Sequence, residues 1–183
     1  VEKECAGSAP QPRSHHTAST VVEEAEDEDL GLPVHKVFIL GGYGGLGTSR
    51  EYFMDVHFLQ LDTWTWEKVA EQKGIPPSPR SDHCTCVTGS RLVVSGGRGW
   101  SHGKDPGFHN DVHVLNTKTM EWEQPEGFNP DDDEPQTWSK LPTHLWNHVA
   151  RNIESVPTDR LFVFGGQSAP REYSNAIGIM DTG

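Results

Sequence analysis

The chain has 183 residues, 33% of them hydrophobic, enough for one ordinary domain with a buried core. Its formal net charge of −12 excludes a nucleic-acid backbone binder, which needs a basic stripe, and no apolar run approaches the length of a membrane span. Gly and Pro are abundant, 19 and 13, and no segment keeps a 3.6-residue apolar rhythm over three turns, so the expected class is all-β.

From the N-terminus, "PRSHHT" (Pro12 to Thr17) opens a first strand, and the acidic run "EEAEDED" (Glu23 to Asp29) reads as a solvated loop. An apolar strand, "KVFILGG" (Lys36 to Gly42), ends in Gly41-Gly42 and leads into a glycine-rich stretch carrying Arg50. The strand pair "DVHFLQLDTWTW" (Asp55 to Trp66) follows. The wording then recurs: "PRSDHC" (Pro79 to Cys84), "RLVVSGG" (Arg91 to Gly97, ending in Gly96-Gly97), a stretch with Arg98, Trp100, His102 and Lys104, and "DVHVLNTKTMEW" (Asp111 to Trp122). After a second acidic run, "DDDE" (Asp131 to Glu134), a third copy gives "RLFVFGG" (Arg160 to Gly166, ending in Gly165-Gly166) and a stretch with Arg171. Asp55 to Trp66 and Asp111 to Trp122 are both eleven steps, whereas the glycine-pair intervals are 55 and 69 residues. Constant strand pairs with variable connections are the mark of strands that build the core. The third copy departs from the pattern. Ala176 stands in the Asp slot, and Leu145-Trp146 replaces Pro-Arg.

This wording at a period near 50 resembles the kelch repeat. The resemblance covers nearly the whole chain and implies four-stranded antiparallel blades in a β-propeller. The expected arrangement is one partial ring over residues 1–183, with a blade at 1–69, a blade at 79–124 and an incomplete blade at 145–183. The second strand of each blade ("VFIL", "LVV", "LFVF") is expected to be buried on both faces, because its apolar run does not alternate. Trp66 and Trp122 are expected at the blade edge, packed on the glycine region of a neighbour. Arg13 and Arg80 are expected to hydrogen-bond loop carbonyls near the hub. The repeat spacing places an earlier Trp before Val1 and the next one beyond Gly183. The sequence therefore reads as about three blades of a longer ring, unstable as a separate monomer.

Candidate chemistry has a plainer alternative at each position. His102, His109, Asp111 and His113 lack converging zinc-ligand spacing, so loop histidines are expected and no metal. "DHCTC" (Asp82 to Cys86) offers a Cys-His pair, but His83 fills the repeat's own His slot, shared with His16 and His148. Three cysteines, an odd count, are no disulfide framework and favour a reducing, intracellular setting. Some kelch-like propellers are copper oxidases resembling galactose oxidase. The tyrosines Tyr43, Tyr52 and Tyr173 form no recognisable Tyr/Cys/His set, so such an enzyme, with its site in missing blades, is the alternative reading.

The expected function is a non-catalytic protein-interaction scaffold, without cofactor, in a larger cytoplasmic protein or assembly. Its roles extend to cytoskeletal or flagellar association and to ubiquitin-ligase substrate adaptation. Its partners are other proteins, with neither nucleic acid nor membrane. Contacts are expected on the post-glycine loops, through Arg50, Arg98, Trp100, His102, Lys104 and Arg171. The acidic run at Glu23 to Asp29 is placed on the opposite face, making the molecule charge-asymmetric.

Overall fold

A computed structural model describes residues 3–23, 32–101, 105–125, 149–153, 160–169 and 171–181. Every regular element among them is a β-strand. No helix among these residues is long and apolar enough to cross a membrane, which says nothing of a β-barrel. Both acidic runs, apart from Glu23, lie outside the described residues, so their placement is left as a sequence expectation.

The first sheet orders its strands Thr17–Glu23, Val34–Leu40, Val56–Gln60 and Thr65–Lys68, all antiparallel. The second repeats this with Cys84–Thr88, Arg91–Ser95, Val112–Asn116 and Glu121–Glu123. A third sheet contains Val149–Ile153, Arg160–Phe164 and Ile177–Asp181. The innermost strands of the three sheets lie side by side, in the order of the chain. The fold is therefore an all-β propeller of radially packed antiparallel blades. Each of the first two sheets also gains a short parallel strand on its outer edge, Ala6–Gly7 and Lys73–Gly74, supplied by the segment that leads into that repeat.

Between the first two sheets lies one apolar core. Val21, Phe38, Leu40, Met54, Val56 and Phe58 come from the first repeat, and Leu92, Val94, Leu115 and Trp122 from the second. Trp122 is thus part of the inter-sheet core, and its indole N–H donates to Gln72 Oε1 at 2.6 Å. The glycine nearest each tryptophan's backbone is not one of the repeated pairs. A Cβ on Gly7 or Gly74 would strike the carbonyl oxygen of Trp66 or Trp122, at 2.1 and 1.9 Å.

The expectation of two buried faces holds for Arg91–Ser95, where Leu92 through Ser95 are all buried, and for the last three residues of Val34–Leu40. It fails for the third sheet. Val163 is buried, but Phe164 is 56% exposed. Its side chain points to the face that, in the first two sheets, is covered by the next sheet, and no described residue covers it here.

The repeat's arginines do more than bond carbonyls. Arg80 is fully buried, and all five of its N–H groups are used. They donate to the Ser78 carbonyl at 2.9 Å, Ser78 Oγ at 3.0 Å, the Gly96 carbonyl at 2.9 Å, Asp111 Oδ2 at 2.7 Å and Asp111 Oδ1. Arg13 does the same with the Gly41 carbonyl and both oxygens of Asp55, and its guanidinium stacks 4.1 Å over the Phe53 ring. His57 and His113 brace the carboxylates through Nε2, at 2.9 and 3.2 Å, and turn Nδ1 toward the carbonyls of Ser8 and Ile75. His113 is therefore a buried structural residue rather than the solvated loop histidine the sequence suggested.

Burial alone would raise the Asp111 carboxyl. Hydrogen bonds from Arg80 and His113 outweigh it and hold the group far below the ordinary carboxylate range. Asp55 is lowered in the same way, burial being outweighed by Arg13 and His57. A carboxylate with a depressed folded pKa stabilises the fold above its unfolded value, about 3.9 for Asp, and that stabilisation is lost as pH falls toward the folded value. Asp111→Asn, which strands the Arg80 charge, should cost about 3–5 kcal/mol at neutral pH by urea denaturation. The difference from the wild type should shrink below about pH 4. A neutral-pH cost under about 1 kcal/mol, the range of an exposed pair, would contradict this account.

Candidate interaction surface

Each glycine pair launches a short ribbon that stands beyond its sheet. These stretches were expected to be loops; they are antiparallel hairpins. Tyr43–Gly44 pairs with Glu51–Tyr52, Arg98–Ser101 with Asp105–Phe108, and Gln167–Ala169 with Glu172–Tyr173. The first two ribbons are extended by the Pro-Arg-Ser segments, through Arg13–Ser14 and Arg80–Ser81.

The turn into each ribbon requires glycine for two different reasons. At Gly41 (φ +59°) an added Cβ would lie 2.5 Å from the His83 ring and 2.7 Å from the Arg80 carbonyl, both from the next repeat. At Gly97 (φ +98°) it would lie 2.7 Å from the Ser81 carbonyl and 2.8 Å from His83 Cβ, in its own repeat. Gly41 thus admits the following repeat, whereas Gly42 and Gly97 admit the segment that opens their own. His83 also bonds Thr17 Oγ1 of the preceding inner strand through Nε2 at 3.0 Å. In the second repeat the His slot is therefore an inter-repeat contact.

The ribbons of the first two repeats meet through aromatic rings. Tyr43 and Tyr52 lie opposite each other with ring centroids 4.9 Å apart, and Tyr52 meets Trp100 of the next ribbon edge-on at 6.1 Å. Tyr43 is 39% and Trp100 47% exposed. Arg98 precedes Trp100 by two residues and so lies on the same side of its ribbon; Arg50 is exposed just before Tyr52. Beside them, at the entry to the inner strands, His15 and Asp82 take the same left-handed conformation (φ 57° each). The Asp82 N–H donates to the His15 carbonyl at 3.0 Å, and Ser81 Oγ donates to Asp82 at 2.6 Å. The result is a polar rim next to an aromatic ridge.

Of the residues singled out from sequence, the structure brings Trp100 and Arg98 onto this surface, with Arg50 at its edge. Arg171 sits exposed on the third ribbon at φ 71°. His102 and Lys104 lie outside the described residues. Tyr43 and Tyr52 went unselected because the sequence raised them only as oxidase ligands. His16 is held below the ordinary imidazole range by burial and by the adjacent Arg13 and His15. Of the "DHCTC" cysteines, buried Cys86 is a poor nucleophile candidate. Burial, with Cys84 two residues away, pushes the Cys86 thiol up to about 12. Among the described residues no group of three His, Cys, Asp or Glu side chains is placed to hold a metal.

Residues 1–132 match the KLHDC2/KLHL20/DRC7 Kelch-repeats domain family. Over 189 aligned positions the chain is 32% identical to the dynein alpha chain of the flagellar outer arm of Chlamydomonas reinhardtii, covering 98% of this chain and 4% of that protein. It is 29% identical to Kelch domain-containing protein 2 of Bos taurus, covering 82% of this chain and 38% of the relative. The solved structure of YjhT superposes with a TM-score of 0.65 at 16% identity, covering 93% of this chain and 49% of that one. The chain thus spans less than half of each of these proteins.

The two glycine roles can be separated from simple backbone strain. Gly89 is left-handed with nothing within 4 Å of an added Cβ, so Gly89→Ala should cost about 1–2 kcal/mol. Gly97→Ala should cost clearly more, because its Cβ meets backbone, and its melting transition should fall further. Equal costs for the two variants would show that the ribbon turn is not sterically fixed.

Proposed function

The chain belongs to the kelch-repeat family, and on that premise we propose that it is a non-catalytic interaction module that binds a partner protein on its ribbon face. The observation that carries this reading is the aromatic ridge of exposed Tyr43 and Trp100 with half-buried Tyr52 between them, built jointly by two repeats. Aromatic residues and arginine on a rigid support are the types enriched in binding hot spots, because they bury large surfaces with little side-chain entropy to lose. Arg98 and Arg50 supply the charged contacts, with His102, Lys104 and Arg171 as further candidates from the same post-glycine stretches. A rigid ring presents such stretches without itself naming the partner. The likeness to a flagellar outer-arm dynein chain supports a place within a cytoskeletal or flagellar assembly in the cytoplasm. The kelch-domain relatives support the broader scaffold role.

The test is quantitative affinity capture from a native extract with wild-type protein and Tyr52→Ala/Trp100→Ala side by side. Hot-spot residues each contribute about 2 kcal/mol or more, so the double variant should lose its specific partner by more than tenfold. Lys68→Ala, at an exposed position of the strand Thr65–Lys68, should capture it normally. Equal capture by the ribbon variant and the wild type, with both folded, would remove the ribbon face as the binding surface.

A further inference from the structure

The connection between the first and second sheets carries residues that the fold does not require. Both repeats open with Gly-x-x-Pro-x-Pro-Arg-Ser, as Gly7 to Ser14 and as Gly74 to Ser81. In the second copy a further proline, Pro76, stands where the first has Ala9, and Lys73 stands where the first has Ala6. The run Lys73-Gly74-Ile75-Pro76-Pro77-Ser78-Pro79 therefore has Pro76 and Pro79 three apart, with a lysine three residues ahead of them. The first repeat builds the same edge strand and the same arginine clamp with alanine at both positions. The architecture thus demands neither Lys73 nor Pro76.

Each proline fixes its own φ near about −65°, and each residue before a proline is driven to extended backbone. Ile75, Pro76 and Ser78 all precede prolines, so residues 75–78 are confined to polyproline II, and they belong to no ladder. That helix has three residues per turn, which puts Pro76 and Pro79 on one edge, about 9 Å apart. Burial follows this geometry. Pro77 is buried against the body, whereas Pro76 and Pro79 are exposed and Ile75 is 62% exposed. The run is also gripped at both ends. The Ile75 N–H donates to the Trp122 carbonyl at 3.2 Å, and the Ile75 carbonyl faces His113 Nδ1 at 3.0 Å. The Ser78 carbonyl and Oγ both accept from Arg80, at 2.9 and 3.0 Å. The proline edge is thus held outward on a rigid support.

We infer that Lys73 to Pro79 is a docking segment for a protein domain of the SH3 type, one with an aromatic-lined groove that reads polyproline II and a carboxylate beside that groove. Proline-rich segments bind such grooves because they are ordered before binding and lose little entropy on docking. Here the prolines impose the conformation and the Arg80 and His113 contacts hold it in place. Ile75, Pro76 and Pro79 supply the apolar edge that enters the groove. Lys73 is exposed beside the start of that edge, across left-handed Gly74 (φ +74°). Its charge meets the carboxylate and sets the direction in which the segment lies. The run follows the outer edge of the second sheet and includes no residue of the aromatic ridge, so this inference is independent of what binds the ribbon face.

The test is binding of the 183-residue protein to an array of purified SH3 domains, with purified WW domains, which also read polyproline II, on the same array. Domains that bind are then titrated by calorimetry. At least one SH3 domain should bind the wild type. Lys73→Ala/Pro76→Ala puts the first repeat's residues into the second, and should weaken that binding more than tenfold while the melting transition is kept. Pro76→Ala alone and Lys73→Glu serve for the same purpose if the double variant melts early. Ala6→Lys/Ala9→Pro carries the run into the first repeat and should raise the stoichiometry from one domain per chain to two. Tyr52→Ala/Trp100→Ala should leave SH3 binding unchanged, which separates this result from the fate of the ribbon face. Failure of every SH3 domain to bind would overturn the inference. So would SH3 binding that Lys73→Ala/Pro76→Ala leaves intact, or binding by WW domains alone.

Discussion

Arg80 holds two repeats in one residue. Its main chain belongs to the first repeat's turn: its N–H donates to the Phe53 carbonyl at 3.1 Å and its carbonyl accepts from the Gly42 N–H at 2.8 Å. Its side chain belongs to the second repeat, where it closes the glycine turn through Gly96 and clamps Asp111 with both guanidinium arms. A buried guanidinium is tolerable only when its donors are filled and its charge is met; here both conditions are satisfied. The position of the second sheet relative to the first, the glycine turns and the ribbons above them all follow from this residue being placed correctly.

The third repeat illustrates the same rule by exception. Ala176 occupies the Asp slot, and its carbonyl still accepts from the Gly165 N–H as Asp111 does from Gly96. The backbone pattern persists without the carboxylate. In the sequence the arginine is gone too, replaced where Leu145-Trp146 stands. Losing one partner would strand a buried charge; losing both strands none, which costs far less. The repeat can thus give up its ionic node and keep its strands, because the sheet is held by its ladder and apolar faces while the node fixes the turn.

Much of the architecture was legible because spacing reports register. The constant eleven steps from Asp to Trp span an antiparallel pair with a tight turn, and no change of length fits there. The continuous apolar run before the glycines reported burial on both faces where a following sheet exists. For Phe164 the run misled, since burial depends on a neighbour that periodicity does not supply. The arginine–aspartate pairing was not read, because its partners lie 42 and 31 residues apart. Its signal was present in their joint loss from the third copy. The edge strands at Gly7 and Gly74 were also missed, although Gly-x-x-Pro-x-Pro-Arg-Ser occurs at both places. On the binding surface, Trp100 and Arg98 were found from residue type alone. Tyr52 was not, because its role depends on a ring from another repeat reaching it.

In the first two repeats a buried arginine–aspartate clamp, rather than apolar packing alone, fixes the turn. A double-mutant cycle tests it most directly, using Arg80→Met, Asp111→Leu and the pair together, with stability read by urea denaturation. The account predicts that each single change is severe and that the double variant is more stable than either. The coupling energy should be about 3 kcal/mol or more. Costs that add to within about 0.5 kcal/mol would mean that the two residues act independently, and would contradict the account.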